Sequence, residues 1–230
     1  MRRNFTGKIG FCIGEDFERP AENTIFAALA EFGTPLLSDG LNKFNTMHPD
    51  IKPVDFGIRA AGPAFTVRLR PGDNLMLHKA IGLAKCGDVI VVDTCGSTTN
   101  SVIGDLMASA AFAKGIAALV IDGGIRDIAE LKEKRYPVFA RFITPAVGDK
   151  DGPGEINLPV CCGGVPVLPG DYIVADENGV VVIPPQMADA IIAGSKEKKA
   201  YEINRIKEIE QGIYMRAAID EQLRKAGVLS

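Results

Sequence analysis

Asp88-Val89-Ile90-Val91-Val92-Asp93, an apolar run closed at both ends by aspartate, is the stretch from which the fold can be read. A short run rich in β-branched residues suits a strand buried on both faces, as in parallel sheets. Ala117 to Ile121 has the same character, and Pro137 to Phe142 is a further strand. Between these lie Asp105 to Lys114, rich in alanine, and Arg126 to Lys134, both helical in pattern. Such alternation predicts parallel βαβ units and an α/β fold.

Upstream, Pro20 stands at a helix start, with Ile25, Phe26, Leu29 and Phe32 as its apolar face and Gly33 as its stop. A second short helix is expected from Ser38, then a strand through Ala60, Ala61, Phe65, Val67 and Leu69. Asp73 is placed to cap a helix through Leu75, Met76, Lys79 and Ile81. Downstream of Thr144-Pro145, short β segments recur at 159–161, 165–168 and 172–175, and Asn178-Gly179 turns a hairpin into Val180–Ile183. Gly87 to Asp93 is echoed by Gly170 to Asp176, which two turn-plus-strand units explain. From Met187 onward the pattern is helical, with Gly194 and Gly212 as expected interruptions. The organisation expected is one domain over 1–230: a core of about 57–185, an N-terminal helical extension 1–56 and a C-terminal helical arm 186–230.

Bulk properties narrow the function. Hydrophobic residues make up 47% and charged residues 24%, enough apolar content for a sizeable core. A net charge of −3 gives no electrostatic footprint for nucleic acid, and Lys196 to Lys199, interrupted by Glu197, reads as a solvated helix face. No run reaches the roughly 18 apolar residues of a membrane span, and no signal peptide is visible, so a cytoplasmic protein is expected. Five cysteines without a CxxC pair indicate neither a zinc ribbon nor a disulfide framework. With only His48 and His78, a three-histidine zinc site cannot be built, and no GxSxG elbow is present. Any catalysis must come from carboxylates, Arg, Lys, backbone amides and a hard metal.

Two segments carry candidate chemistry. Gly104-Asp105-Leu106-Met107 opens a helix after the loop Cys95 to Asn100, and a helix N-terminus presents unpaired amides to an anion. Asp105 taken alone is also an ordinary first-turn acid. In Val120 to Asp127 a buried strand ends at Asp122, Gly123-Gly124 permits a tight turn, and Arg126-Asp127 opens a helix. Ligands of α/β sheets bind beyond the carboxyl ends of strands, which puts this pair at the functional edge. A surface Arg-Asp pair is the plain alternative. His78, four residues after Asn74, reads as a helix histidine hydrogen-bonded within the packing, and Cys95 as a small buried residue.

Asp105, twenty intervening residues, then Arg126-Asp127 resembles the signature of the RraA-like family. The likeness extends from about Arg59 to Pro184, through Arg70-Pro-Gly-Asp-Asn-Leu-Met76, Gly104-Asp-Leu-Met-Ala108, Asp122-Gly-Gly-Ile-Arg-Asp127, Phe142-Ile-Thr-Pro145, Gly170-Asp-Tyr-Ile-Val-Ala-Asp176 and Gly179-Val-Val-Val-Ile-Pro184. That family includes the class II 4-hydroxy-4-methyl-2-oxoglutarate / 4-carboxy-4-hydroxy-2-oxoadipate aldolases and a regulator of ribonuclease activity. The resemblance implies a swivelling-domain-like β/β/α sandwich with N- and C-terminal helical extensions, assembled as a homotrimer or homohexamer.

For function it implies a metal-dependent lyase releasing pyruvate from 4-hydroxy-2-oxo acids through a metal-stabilised enolate, with oxaloacetate decarboxylation as a related activity. Amides at Gly104, Leu106 and Met107 would hold the substrate carboxylate, and Arg126 would contact the oxo group. Asp127 would bind Mg2+ or Mn2+, with Asp105 assisting through water and Glu202 reaching in from a neighbouring subunit. No Schiff-base lysine is required, although Lys79, Lys85 and Lys114 lie near in sequence. The other reading is a ribonuclease-binding regulator without a reaction of its own. The N- and C-terminal extensions favour the aldolases, because the regulators tend to be short single domains.

Overall fold

The computed structural model describes residues 4–21 and 24–229. The chain opens with a hairpin, β1 (Phe5–Lys8) and β2 (Phe11–Gly14), followed by α1 (Thr24–Gly40) and the two-residue β3 (Lys52–Pro53). Then come β4 (Ala60–Leu69), α2 (Leu75–Leu83), β5 (Val89–Asp93), β6 (Ser101–Ile103), α3 (Asp105–Ala113), β7 (Ala118–Ile125), α4 (Ile128–Glu133) and β8 (Val138–Ile143). Short strands β9 (Gly154–Ile156), β10 (Val160–Cys162), β11 (Val165–Val167), β12 (Tyr172–Asp176) and β13 (Gly179–Ile183) precede the helices α5 (Ala188–Glu210) and α6 (Ala217–Lys225).

The βαβ expectation holds. Strands β4, β5, β7 and β8 pair in parallel in that order, with α2, α3 and α4 as the connections. Every residue of β5 is buried, because α2 packs against it and the β10–β11 ribbon also lies on it. Covering on both faces is what an uninterrupted Val-Ile-Val-Val run requires. Strand β4 serves three partnerships: Ala60–Pro63 pair antiparallel with β12, Ala64–Arg68 pair parallel with β5, and Val67–Leu69 pair antiparallel with β9. The two echoing segments, β5 and β12, thus flank the same strand. The mixed α/β architecture agrees with the fold expected from the family resemblance.

Several local expectations are corrected. The N-terminal segment is not wholly helical, since its hairpin joins the main sheet through β2 and β9. Nor is it peripheral: Leu29, Leu37 and Ile51 are fully buried. Gly33 (φ 75, ψ 161) kinks α1 instead of ending it, and the second helical stretch follows directly, earlier than Ser38. Its first residue, Thr34, donates from both backbone and hydroxyl to the Asp176 carboxylate. The expected start at Pro20 is also corrected: Pro20 is not helical and α1 begins at Thr24, with Glu22 and Asn23 outside the described residues. Asp176 and Gly179 are paired in the β12–β13 ladder, so the hairpin turns on Glu177-Asn178.

Gly194 does not interrupt α5, whereas Gly212 (φ 89) lies beyond its end. One solvent-facing glycine costs a helix only about 1 kcal/mol, which a 23-residue helix absorbs. Among the described residues no helix is long and apolar enough to cross a membrane.

Candidate functional site

Strand β7 does not stop at Asp122. It runs on through Gly123-Gly124 to Ile125, with a register irregularity against β8 between Ile121 and Gly124. The glycines are therefore not a tight turn. At Gly124 a Cβ would lie 2.5 Å from the Phe142 ring and 2.7 Å from the Asn100 carbonyl, so this position is glycine because two elements close over it. Asp122 is structural: it binds Arg141 (Nε to Oδ1, 2.6 Å) and accepts the Gly163 amide (2.7 Å).

The prolonged strand delivers Arg126 and Asp127 beside the start of α3. The Arg126 amide donates to the Ile103 carbonyl (3.1 Å), tying the end of β7 to β6. Asp127 sits in the left-handed region (φ 58, ψ 44), rare for a residue with a Cβ and a form of local strain that functional sites retain. Its Oδ2 accepts the Asp105 amide (2.9 Å) and lies 3.5 Å from Arg126 Nε. Gly104 makes this approach possible, since a Cβ there would collide with Asp127 Oδ2 and press on Arg126.

A cavity of about 180 Å³ opens here, lined by Gly104, Leu106, Met107, Arg126 and Asp127 on one side and by Asn74, His78 and Lys150 on another. The sequence-predicted residues Gly104, Leu106, Met107, Arg126 and Asp127 are thus brought together. Among the described residues the Leu106 and Met107 amides have no acceptor, so the N-terminus of α3 presents two free donors there. Arg126 and Asp127 are partly exposed, their side chains 41% and 37% accessible.

Two expected members stand elsewhere. Asp105 turns away from the cavity: its Oδ1 pairs with Lys134 (2.5 Å) and accepts from Ser109 (3.3 Å). Hydrogen bonding to Asp105 in turn raises the Lys134 ammonium pKa. Glu202 is exposed on α5 and does not line the cavity of its own chain.

Other sequence readings change as well. Cys95 is exposed, with φ 51, not buried; partial loss of hydration around the thiol, and then the Asp93 charge, raise its pKa. His78 is an exposed group on the cavity wall, not a histidine hydrogen-bonded within the packing. Lys79, Lys85 and Lys114 do not line the cavity, whereas Lys150, which the sequence did not single out, does.

The donor set bears on a metal. Among the described residues no group of three or more His, Cys, Asp or Glu could enclose an ion. Asp127 nevertheless accepts no hydrogen bond at Oδ1 from the described residues, and Mg2+ is commonly held by one or two carboxylates with several waters retained. A hard cation bound through Asp127 fits; a closed structural site does not.

Comparisons with known proteins agree with this picture. The RraA-like family, described as Aldolase/RraA, matches residues 34–182. A Halalkalibacterium halodurans protein, named provisionally as a 4-hydroxy-4-methyl-2-oxoglutarate aldolase, is 39% identical over 191 residues, spanning 83% of this chain and 91% of its own. A Thermus thermophilus protein named 4-hydroxy-4-methyl-2-oxoglutarate aldolase is 37% identical over 131 residues, 56% of this chain and 79% of its own. Among solved structures, Streptomyces coelicolor RraAS2, described as an unusual member of the RNase ES inhibitor RraA protein family, is similar with a TM-score of 0.72. Its identity is 28%, over 87% of this chain and 100% of that one.

Proposed function

Because the chain belongs to the RraA-like family, we propose that it is a divalent-metal-dependent aldolase that cleaves 4-hydroxy-2-oxo acids and releases pyruvate. The observation that carries this reading is the convergence of a guanidinium, a carboxylate with a free oxygen and two unpaired helix amides on one small cavity. Its volume of about 180 Å³ lies below the roughly 300–1,000 Å³ of pockets for larger ligands, in keeping with a small acid.

The roles follow from the chemistry. Free amides of Leu106 and Met107 hold the 1-carboxylate at the positive end of α3. Arg126 stands where negative charge gathers on the 2-oxo oxygen as the C3–C4 bond breaks, the C4 hydroxyl passing its proton to water and C3 of the resulting enolate taking one from water to give pyruvate. A fixed cation at a developing oxyanion lowers that barrier without reorganising. Asp127 would hold Mg2+ or Mn2+, which when bound supplies a Lewis acid for the 2-oxo group. Asp127 also positions Arg126 and the first turn of α3 through its other oxygen. Oxaloacetate decarboxylation passes through the same pyruvate enolate and is proposed as a second activity. Assembly into trimers or hexamers, with Glu202 completing a neighbour's site, is part of the proposal. The row of exposed Ile203, Ile206, Ile209 and Ile213 along the arm supports it.

The test is pyruvate release from a panel of 4-hydroxy-2-oxo acids and oxaloacetate, in Mg2+ or in EDTA. Release in Mg2+ and its loss in EDTA are expected. Full release by metal-stripped enzyme would remove the metal from the reading. No release from any substrate would favour the regulator reading, to which the name of the Streptomyces neighbour points.

A further inference from the structure

A second cavity, of about 770 Å³, shares no lining residue with the one at Arg126. It lies within the roughly 300–1,000 Å³ of pockets that take larger ligands. One wall is the sheet itself, through Arg68 on β4 and Glu155 on β9, which are register partners. The rest is mainly apolar and comes from four separate stretches of chain, at Phe5, Phe17, Leu158-Pro159 and Leu168-Pro169.

These walls are held in place before any ligand arrives. The Thr66 hydroxyl donates to the Leu158 carbonyl (2.6 Å), and the Gly170 amide to the Ala64 carbonyl (2.9 Å). The Phe17 ring is fixed between Gly170, where a Cβ would lie 3.2 Å from it, and the Arg19 guanidinium, 4.1 Å from its centroid. Beyond Leu69 a clamp continues the β4–β9 pairing. There the Asn74 amide donates to the Asp149 carbonyl (2.9 Å), and the Asp151 and Gly152 amides donate to the Asp73 carboxylate (2.8 Å each). A cavity fixed in this way reduces the ordering that ligand capture would otherwise cost. Two large apolar side chains on it nevertheless stay open, Phe5 at 49% and Leu168 at 51% exposed.

The charges on this cavity are unequally used. Asp171, 7% exposed, accepts the Leu168 amide (2.8 Å), and Glu155 accepts the Gly10 amide (3.4 Å) and the Cys12 thiol (3.5 Å) through Oε1. Glu18 is exposed, where solvent and salt screen it. Among the described residues Arg68 makes one hydrogen bond, from Nη2 to the Pro159 carbonyl (3.1 Å), and its Nη1 lies 3.3 Å from Glu155 Oε2. A guanidinium carries five N–H donors in a planar fork that matches a carboxylate. Most of that fork is unspent here. A cation is disfavoured beside it, and a wholly apolar ligand would leave it without a partner.

We propose that this cavity binds an amphipathic monocarboxylate, its carboxylate on the Arg68 fork and its apolar body against Phe5 and Leu168. Glu155 competes with the ligand for the guanidinium. The site stands apart from the aldolase reading, which uses none of these residues.

Calorimetric titration with three ligands of one body tests it: 3-phenylpropionate, 3-phenylpropionamide and 3-phenylpropylammonium. The carboxylate is expected to bind about 10- to 100-fold more tightly than the amide, the scale of a charge-assisted contact, and the ammonium more weakly than either. Arg68→Met should bring carboxylate and amide within about twofold. Glu155→Gln removes the competitor and should tighten the carboxylate by about two- to fivefold, the scale of a partly exposed ion pair. That variant decides the matter where Arg68→Met fails to fold. Arg126→Met should leave the carboxylate affinity unchanged, which separates this cavity from the one at α3. Equal binding of carboxylate and amide, tightest binding of the ammonium, or no binding of any of the three overturns the proposal. So does a carboxylate affinity that fails to rise in Glu155→Gln, survives Arg68→Met intact, or is lost in Arg126→Met.

Discussion

Carboxylates in the body of the protein and carboxylates at the cavity are used in opposite ways. Asp73, Asp88 and Asp176 are at most 2% exposed, and each is surrounded by donors. Asp73 accepts the amides of Leu75, Asp151 and Gly152; Asp88 accepts two guanidinium bonds from Arg19 and the Lys85 amide; Asp176 accepts twice from Thr34 and once from Asn178. Asp127, by contrast, accepts one amide through one oxygen, and among the described residues its other oxygen has no donor. A buried acid with both oxygens engaged by donors holds elements together and offers little to a ligand. An under-used acid, held in strained backbone at a cavity, is a candidate for chemistry.

The comparison breaks most directly at Asp127. Asp127→Asn should reduce pyruvate release to background while the melting temperature stays within a few degrees of wild type, since the amide oxygen can still accept the Asp105 N–H. Loss of fold with loss of activity would put Asp127 among the structural acids instead.

Next comes the body. Arg19, 16% exposed, donates to both oxygens of Asp88 (2.7 and 2.8 Å), and these bonds raise the guanidinium pKa. Arg19→Ala leaves a fully buried carboxylate with the Lys85 amide alone, and a broken buried pair costs about 3–5 kcal/mol. Urea denaturation should record that loss, and Asp88→Asn in the same chain should recover part of it. A loss below about 1 kcal/mol would mean that the pair is solvated and the contrast overstated.

A smaller effect is expected at Asp176 and depends on pH. Burial pushes its carboxyl pKa up, but hydrogen bonds from Thr34 and Asn178 outweigh burial and leave it below the ordinary value. The folded state then binds the proton more weakly than the unfolded state. The stabilisation is complete above the unfolded value of about 3.9 and is lost as pH falls through the lowered folded value. Asp176→Asn should lower stability at neutral pH by about 1–3 kcal/mol. It should also flatten the slope of melting temperature against pH below about 4. An unchanged slope would show that Asp176 does not contribute to the acid transition.

The sequence makes the frame legible where a signal is local. The apolar run at 89–92 and the N-terminus of α3 each announce themselves within a few residues, whereas Asp73, expected to cap α2, stands one residue before the N-cap Asn74 and accepts the Leu75 amide. What it hides is set by contacts between distant segments. Phe5–Gly14 forms two four-residue strands that gain their place only through β9, far along the chain. Gly123-Gly124 looks like a turn because glycine permits one, yet the space these residues must leave for Thr94 and Phe142 decides the matter. His78 and Lys150 share a cavity across 72 positions, and only the clamp at Asp73 and Asp149 brings them together. The orientation of Asp105 was equally out of reach, because its partner Lys134 lies 29 positions on, at the C-terminal end of α4.

That orientation sets the smallest effect and a sharp one. Asp105 is an intermediate case: not saturated like Asp88, but occupied by an ammonium and not aimed at the cavity. The family resemblance assigns Asp105 a role beside the metal through water, and Lys134 holds its carboxylate away from that role. Lys134→Met removes the competitor and leaves Asp105 free to turn. The Mg2+ concentration for half-maximal activity should then fall by about two- to fivefold, the scale of an exposed ion pair, with little change in melting temperature. Lys134→Arg, which keeps the charge, should behave as wild type. If Lys134→Met leaves Mg2+ activation unchanged or weakens it, Asp105 belongs with the structural acids, and Asp127 alone carries this chain's carboxylate contribution at the cavity.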